Sequence, residues 1–82
     1  MNSNHEAIHM GRLYRHFKGS LYKVIGMSKH TETGETLVLY HRIDDSNNIW
    51  ARPIDMFLSE VDHEKYPDVE QKMRFELVNF AD

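Results

Sequence analysis

Two histidines near the start of the sequence have the spacing of a zinc-binding motif. His5 and His9 lie one helical turn apart and Glu6 follows the first of them, as in the H-E-x-x-H pattern of zinc metalloproteases. In those enzymes the histidines bind zinc and the glutamate is the general base. That chemistry also needs a buried helix, a third ligand and a substrate cleft, whereas this motif lies in a short polar segment. We therefore interpret it as a coincidence and predict no metal site.

Other catalytic patterns are also missing from the sequence. The remaining histidines show no short ligand spacing, and the chain has no cysteine, so a thiolate nucleophile and a thiolate zinc site are excluded. Its glycines are scattered rather than gathered in a phosphate-binding loop, and no serine lies in a nucleophile elbow. We predict no catalytic residue and no cofactor. An enzyme that acts on a nucleotide, with His30 or Glu32 as acid and base, is the least favoured function.

Aromatic rings and hydrogen-bond donors alternate along the first two thirds of the chain. The residues concerned are Tyr14, His16, Lys18, Tyr22, His30, Tyr40, Trp50 and Arg52. Such a mixture can stack a base, hold a cation or bind a carboxylate. The alternative is that tyrosine and tryptophan fill a small core, with their polar tips at its rim.

The composition is that of one ordinary globular domain. The 82 residues are 40% hydrophobic and 28% charged, and two halves of this chain would each be too small to bury a core. There is no signal peptide and no apolar run near the ~20 residues that span a bilayer, so we expect a cytoplasmic protein without membrane contact. The net charge of −3 disfavours dense, non-specific attraction to nucleic acid.

The charges are unevenly distributed along the chain. Residues 11–30 contain only basic charges, whereas residues 55–70 are acidic apart from Lys65. Two interpretations stay open: the segments lie side by side and neutralise each other, or the basic one forms a surface for an anionic partner.

Short apolar runs separated by turn residues predict an all-β domain. The expected strands are 13–18, 21–30, 36–43, 49–52, 58–61 and 73–80, with a turn at 44–48 and a helical turn that begins at Pro53. We predict a mainly β fold, a small SH3-like antiparallel barrel at 11–82, preceded by a flexible leader at 1–10. The alternative is an α+β roll with a helix at 62–72. The predicted core comprises Phe17, Val24, Ile25, Leu37, Leu39, Ile49, Phe57 and Phe75.

A series of motifs, in order, resembles one family of small bacterial domains. They are Tyr14-Arg15-His16-Phe17-Lys18-Gly19, Leu21-Tyr22, His30 with Glu32-Thr33, Leu37-Val38-Leu39-Tyr40, and Trp50-x-Arg52-Pro53-x-x-Met56-Phe57. The family is known only as domain of unknown function 1653. The resemblance covers about residues 11 to 61, and Arg74-Phe75 resembles the family's closing strand. It departs at 44–48, which lacks glycines, and it implies no activity.

The resemblance strengthens one set of candidate binding residues. His16, His30, Glu32, Trp50 and Arg52 belong to the family's pattern although a core does not require them, and we expect them to converge with Tyr40 on one pocket. The favoured function is a module that binds a small anionic or nucleobase-containing ligand, or an extended peptide. The alternative is a structural adaptor that acts by homodimerisation or by protein contact at a sheet edge.

Overall fold

The computed structural model describes residues 8–79, which form a single antiparallel sheet and one short helix. In chain order the elements are β1 (Leu13–His16), β2 (Leu21–Lys29), β3 (Thr36–Arg42), β4 (Asp45–Pro53), α1 (Ile54–Phe57) and β5 (Phe75–Leu77). The prediction of a mainly β fold with one helical turn is confirmed. The strand order β4-β3-β2-β1-β5 leaves β4 and β5 as edges, so the sheet is not closed into a barrel.

The turn between β3 and β4 is tighter than the sequence predicts. Arg42 already pairs with Asp45 across the hairpin, so the turn consists of residues 43–44 and most of the expected loop lies in β4. The polar side chains bond to each other here: Arg42 forms an ion pair with Asp44 at 3.1 Å, and the Asn48 amide donates to Asp45 at 2.8 Å. These local bonds satisfy polar groups that otherwise favour an open loop.

The chain leaves the sheet at Pro53, which has a φ of −53° and directly precedes α1, as predicted. Ile54 and Phe57 of this helical turn are buried under the sheet. The strand expected at 58–61 is reduced to a single bridge between Glu60 and Met73. Residues 62–72 form turns rather than the helix of the α+β alternative. No helix within residues 8–79 is long and apolar enough to cross a membrane.

One face of the sheet, here the inner face, supplies most of the core. Successive side chains of a strand point to opposite faces, so cross-strand partners lie on the same side. Val24 pairs with Tyr40, and Tyr14 pairs with Tyr22, which places all four on the inner face. The buried residues of the core cluster are Ile8, Tyr14, Val24, Val38, Tyr40, Ile54, Phe57 and Phe75.

Five members of the predicted core are wrong, and strand alternation explains three of them. The run from residue 37 to 40 is continuously apolar, so its pattern does not indicate which face is buried. Val38 and Tyr40 face the core, which puts Leu37 and Leu39 half-buried on the outer face. Ile49 is 56% exposed because its neighbour Trp50 faces inward.

Ile25 is 41% exposed because it is the extra residue of a β-bulge between Val24 and Gly26. Phe17, the fifth wrong member, lies half-buried in the turn after β1. Ile8, which we assigned to the leader, is only 5% exposed, and the Gly11 amide donates to the Val24 carbonyl at 2.8 Å. The packed core therefore extends to Ile8.

Candidate functional site

Strand β4 directs two of the predicted site residues toward the inner face. Trp50 pairs with Tyr40 and Arg52 pairs with Val38, and both partners are buried in the core. Because strand residues two apart share a face, Trp50 and Arg52 lie side by side. Trp50 remains 56% exposed because β4 is an edge strand and the core does not cover its ring.

The core holds the Arg52 side chain in place. Its Nε donates a hydrogen bond of 3.0 Å to the Tyr40 hydroxyl. Its guanidinium carbon lies 5.7 Å from the ring centroid of Phe75, a cation–π distance. The Phe75 ring in turn stacks on Phe57, with centroids 4.2 Å apart. Arg52 is therefore oriented by buried aromatic residues, and Nε is its only nitrogen that bonds to another described residue.

Arg52 lies in the wall of a cavity of about 300 Å³, which we call the cationic cavity. The other positive residues that line it are Lys18, Lys65 and Arg74, whereas Asp62 supplies its only carboxylate. None of these four cations forms an ion pair within residues 8–79, where Arg42 with Asp44 is the only such pair. The cavity therefore concentrates positive charge that Asp62 offsets only in part.

Aromatic rings form the remaining walls of the cationic cavity. Phe17 packs against Tyr66 with ring centroids 5.0 Å apart. The Nζ atoms of Lys18 and Lys65 each lie 5.5 Å from the centroid of the Tyr66 ring. Each ammonium group is thus partly compensated by the π electrons of the Tyr66 ring.

The segment that carries Arg74 is attached to the sheet by side-chain hydrogen bonds. The Gln71 amide donates to the carbonyls of Arg15 and Met73, both at 2.9 Å. Arg74 Nε donates to the Ser59 hydroxyl at 3.1 Å. Arg74, directly before β5, thus has a fixed position beside the cavity. Arg52 has one on β4, the other edge strand.

His16 lines the cationic cavity and is electrically neutral at pH 7. Burial and, to a smaller extent, the positive charges of Arg52, Arg74 and Lys18 together lower its pKa from 6.5 to about 4. Its Nδ1 accepts a hydrogen bond of 3.0 Å from the Lys18 amide. Since Nδ1 is the acceptor, the neutral ring carries its proton on Nε2. His16 therefore adds a neutral N–H donor to the cations.

A second cavity, of about 220 Å³, adjoins the first and is here called the aromatic cavity. It is lined by Tyr22, Tyr40, Trp50 and Arg52. Tyr22 and Tyr40 meet edge to face, with centroids 5.3 Å apart. Arg52 belongs to the walls of both cavities, so the two share one guanidinium group.

The other two predicted site residues lie elsewhere in the fold. His30 and Glu32 belong to the turn between β2 and β3, and neither lines the cationic or the aromatic cavity. His30 Nδ1 accepts hydrogen bonds from the amides of Glu32 at 3.0 Å and Thr33 at 3.3 Å. The structure thus gathers His16, Tyr40, Trp50 and Arg52, and places His30 and Glu32 in a turn that the histidine stabilises.

The comparisons with known proteins agree with this architecture. Residues 12–77 match the family described as Protein of unknown function (DUF1653). The chain belongs to this family. A crystal structure of a DUF1653 protein from Bordetella bronchiseptica superposes with a TM-score of 0.72 at 25% identity, covering 94% of this chain and 95% of that one. No curated protein matches the sequence.

The segment from His30 to Thr33 has a structural role in the turn between β2 and β3. Its histidine and threonine cap backbone amides, since Thr33 Oγ1 also accepts from the Glu35 amide at 3.2 Å. The motif thus has a sufficient structural explanation in the turn.

Several cavity residues of this DUF1653 domain were missed by the sequence analysis. Lys65 and Tyr66 come from the acidic segment 55–70, in which we predicted no site residue, and Phe17 was assigned to the core. Phe17, Lys18 and Arg74 do lie in the motifs that resemble the family, and this was the one feature of the sequence that could have indicated them. Lys65 gave none, because only the folded chain brings it near Lys18.

The zinc-like motif lies mostly outside the described residues, since these begin at residue 8. His9 is exposed, and its backbone amide donates to the Tyr14 hydroxyl at 3.0 Å. Within the described range, no three histidine, aspartate or glutamate side chains are grouped so that they could hold a metal ion.

Proposed function

We propose that the domain is a binding module for a small anionic ligand and that the cationic cavity is its binding site. The observation that carries this proposal is a group of four cations around one cavity: Lys18, Arg52, Lys65 and Arg74. None of them forms an ion pair with Asp62 or with another described carboxylate. Like charges around one cavity repel each other, and an anion bound between them offsets this repulsion.

The two arginines suit an anion with several oxygens. Each uses Nε for a protein hydrogen bond, to Tyr40 or to Ser59, which fixes the plane of the guanidinium group. The terminal nitrogens are then available for paired, charge-assisted bonds to a phosphate, sulfate or carboxylate. Because these side chains are already positioned, little rotamer entropy is lost when the ligand binds.

Binding without a chemical step fits His16 better than catalysis does. A general base works best when its pKa is near the operating pH, whereas the pKa of His16 is about 4. A neutral imidazole instead donates through Nε2 to an anion.

The cytoplasmic location stays a prediction from the sequence.

The test is calorimetric titration with sulfate, inorganic phosphate and pyrophosphate at low ionic strength. Saturable one-site binding is expected, together with thermal stabilisation of about 2.7 kcal/mol at 100 times Kd. Arg52→Gln removes a charge-assisted partner worth about 1.5–3 kcal/mol and should weaken binding roughly 10- to 150-fold.

Two lysine variants separate a site from a general charge effect. Lys18→Gln and Lys23→Gln remove the same charge from exposed side chains, but only Lys18 lines the cavity. Lys23 precedes inward-facing Val24 on β2 and so lies on the outer face. We expect Lys18→Gln alone to weaken binding. Equal effects of the two variants, or no saturable binding by the unaltered protein, would contradict the proposal.

A second candidate function is self-association through the free edge of β4, as the adaptor hypothesis requires. This edge strand is nine residues long, and Ile49 is 56% exposed on its outer face. Long edges with apolar side chains favour pairing with another strand. Analytical ultracentrifugation over a range of concentrations tests this: Ile49→Lys should shift a dimer toward the monomer, and a monomer at every concentration would rule the candidate out.

A further inference from the structure

The aromatic cavity indicates which kind of anion the domain binds. We infer that the ligand is a mononucleotide, with its phosphate in the cationic cavity and its base stacked on Trp50 in the aromatic cavity. This inference rests on the proposed function, because it assumes that the cationic cavity takes an anion.

The two cavities lie side by side because they have one wall residue in common. Arg52 lines both of them, and Trp50 lies two residues away on the same face of β4, about 6.5–7 Å along the strand. Small-molecule sites usually enclose about 300–1,000 Å³. The cavities of 300 and 220 Å³ are individually at or below the low end of that range, but together they fall within it. One ligand that occupies both must combine an anion and a second group separated by a short linker.

The second group should be a flat ring. Trp50 exposes 56% of its surface on the inner face, beside the edge-to-face pair of Tyr22 and Tyr40. An exposed indole next to other aromatic residues forms a platform on which any nucleobase can stack. An aliphatic acid would fill the cationic cavity equally well but would leave this platform in water.

The anionic group should be a phosphate rather than a carboxylate. Four cations line the cationic cavity, and only Asp62 offsets them. A phosphate monoester carries more charge than a carboxylate near pH 7 and presents three acceptor oxygens. It can therefore bond to both fixed arginines at once, with oxygens left for a lysine or for His16.

A single nucleotide fits better than a nucleic-acid strand. The net charge of the chain is −3, which repels a polyanion beyond the reach of the local site. The residues that line the aromatic cavity include one indole platform, and strand-binding surfaces instead stack successive bases along a positive groove.

Trp50 is the only tryptophan of the chain, so its fluorescence reports directly on the aromatic cavity. We would titrate the protein with adenosine 5′-monophosphate, adenosine, inorganic phosphate and a short adenine oligonucleotide. The mononucleotide should quench the fluorescence saturably and bind at least tenfold more tightly than phosphate or adenosine. The oligonucleotide should bind no more tightly than the mononucleotide.

Neighbouring residues of β4 supply a variant and its control. Trp50→Leu should reduce the affinity for adenosine 5′-monophosphate, measured by calorimetry, to that of the same variant for phosphate. Ile49→Ala, at an equally exposed residue on the opposite face, should change neither affinity.

The outcomes distinguish the inference from the proposed function. If phosphate and the mononucleotide bind equally without quenching, the inference fails and the anion site stands. If neither binds, both fail. Tighter binding of the oligonucleotide would replace the mononucleotide with a single-stranded nucleic acid, and an equal loss for Ile49→Ala would remove Trp50 from the site.

Discussion

The two turns at opposite ends of β2 are built alike, yet only one of them contributes residues to the cationic cavity. In each, a histidine Nδ1 accepts the amide of the residue two positions later, Lys18 for His16 and Glu32 for His30. In each, the histidine carbonyl then accepts an amide from a glycine at positive φ, which is Gly19 at 108° in one turn and Gly34 at 74° in the other.

The surroundings of the two histidines differ far more than their turns do. His16 lies among arginine and lysine side chains and contacts the Phe75 ring, with centroids 5.0 Å apart. His30 is followed by a run of five exposed residues. The comparison teaches that a histidine in a turn has a structural role first, and that a binding role depends on what the rest of the fold places beside it.

Phe75→Ala should have the largest effect on stability, because it removes a buried aromatic ring that packs beneath Arg52 of the cationic cavity. Phe75 is 6% exposed, stacks on Phe57 and lies under Arg52. We expect a loss of about 3–5 kcal/mol in the free energy of unfolding, measured by urea denaturation. Leu37→Ala, near the His30 turn and half-buried on the outer face, is the control and should cost less. Equal losses would show that both ends of the sheet depend on one core.

The strands could be predicted from the sequence better than the faces could. Apolar runs and turn residues located β1, β2 and β3, and they placed Trp50 and Arg52 on one strand. The run 37–40 contains no polar residue to mark its outer face, so its register is decided by pairing with β2 and β4. The bulge at Gly26 then exposed Ile25, which alternation alone could not reveal.

The candidate site was only partly predictable for a related reason. Residues that cap turns are the same types that bind ligands, so His30 and Glu32 could not be separated from His16 by type or by pattern. The cationic cavity joins Lys18 to Lys65 and Arg74, which are far apart in the sequence. Such a convergence depends on tertiary structure, and the charge pattern alone left open whether the basic and acidic segments are neighbours.

The free energy of unfolding should depend on pH through His16, the histidine of the first turn. The folded-state pKa of His16 is about 4, against 6.5 for an unperturbed histidine, so the unfolded chain binds more protons between these values. Stability contributed by neutral His16 is therefore fully present above pH 6.5 and is lost as the pH falls toward 4. Urea unfolding at pH 7 and pH 5 measures it.

His16→Asn is the matched variant for this measurement, because an asparagine oxygen can accept the Lys18 amide but does not titrate in this range. It should show a smaller loss of stability between pH 7 and pH 5 than the unaltered protein. An unchanged loss would mean that other groups, rather than His16, cause the pH dependence.

Replacing His16 and His30 separately with alanine distinguishes a role in turn formation from a role in binding. His16→Ala and His30→Ala each remove an acceptor for backbone amides, and a hydrogen bond contributes about 0.5–1.5 kcal/mol to stability. Both variants should therefore lower the melting temperature. Only His16→Ala should also weaken sulfate binding, roughly 2- to 12-fold by the same energy. If His30→Ala weakens it as much, the two turns are not functionally distinct.

Glu32→Gln should have the smallest effect, and it tests a predicted site residue that lines neither cavity. The Glu32 side chain is exposed and makes no hydrogen bond to another described residue, so stability should change by no more than about 0.5 kcal/mol. Removal of its negative charge could favour anion binding only by removing a long-range repulsion. β2 is nine residues long, which separates the two turns by roughly 25–30 Å, and salt at 0.15 M screens charges beyond about 8 Å. Sulfate affinity measured by calorimetry should thus stay unchanged. A clear change would bring the second turn into the binding site and restore the six-residue site predicted from the sequence.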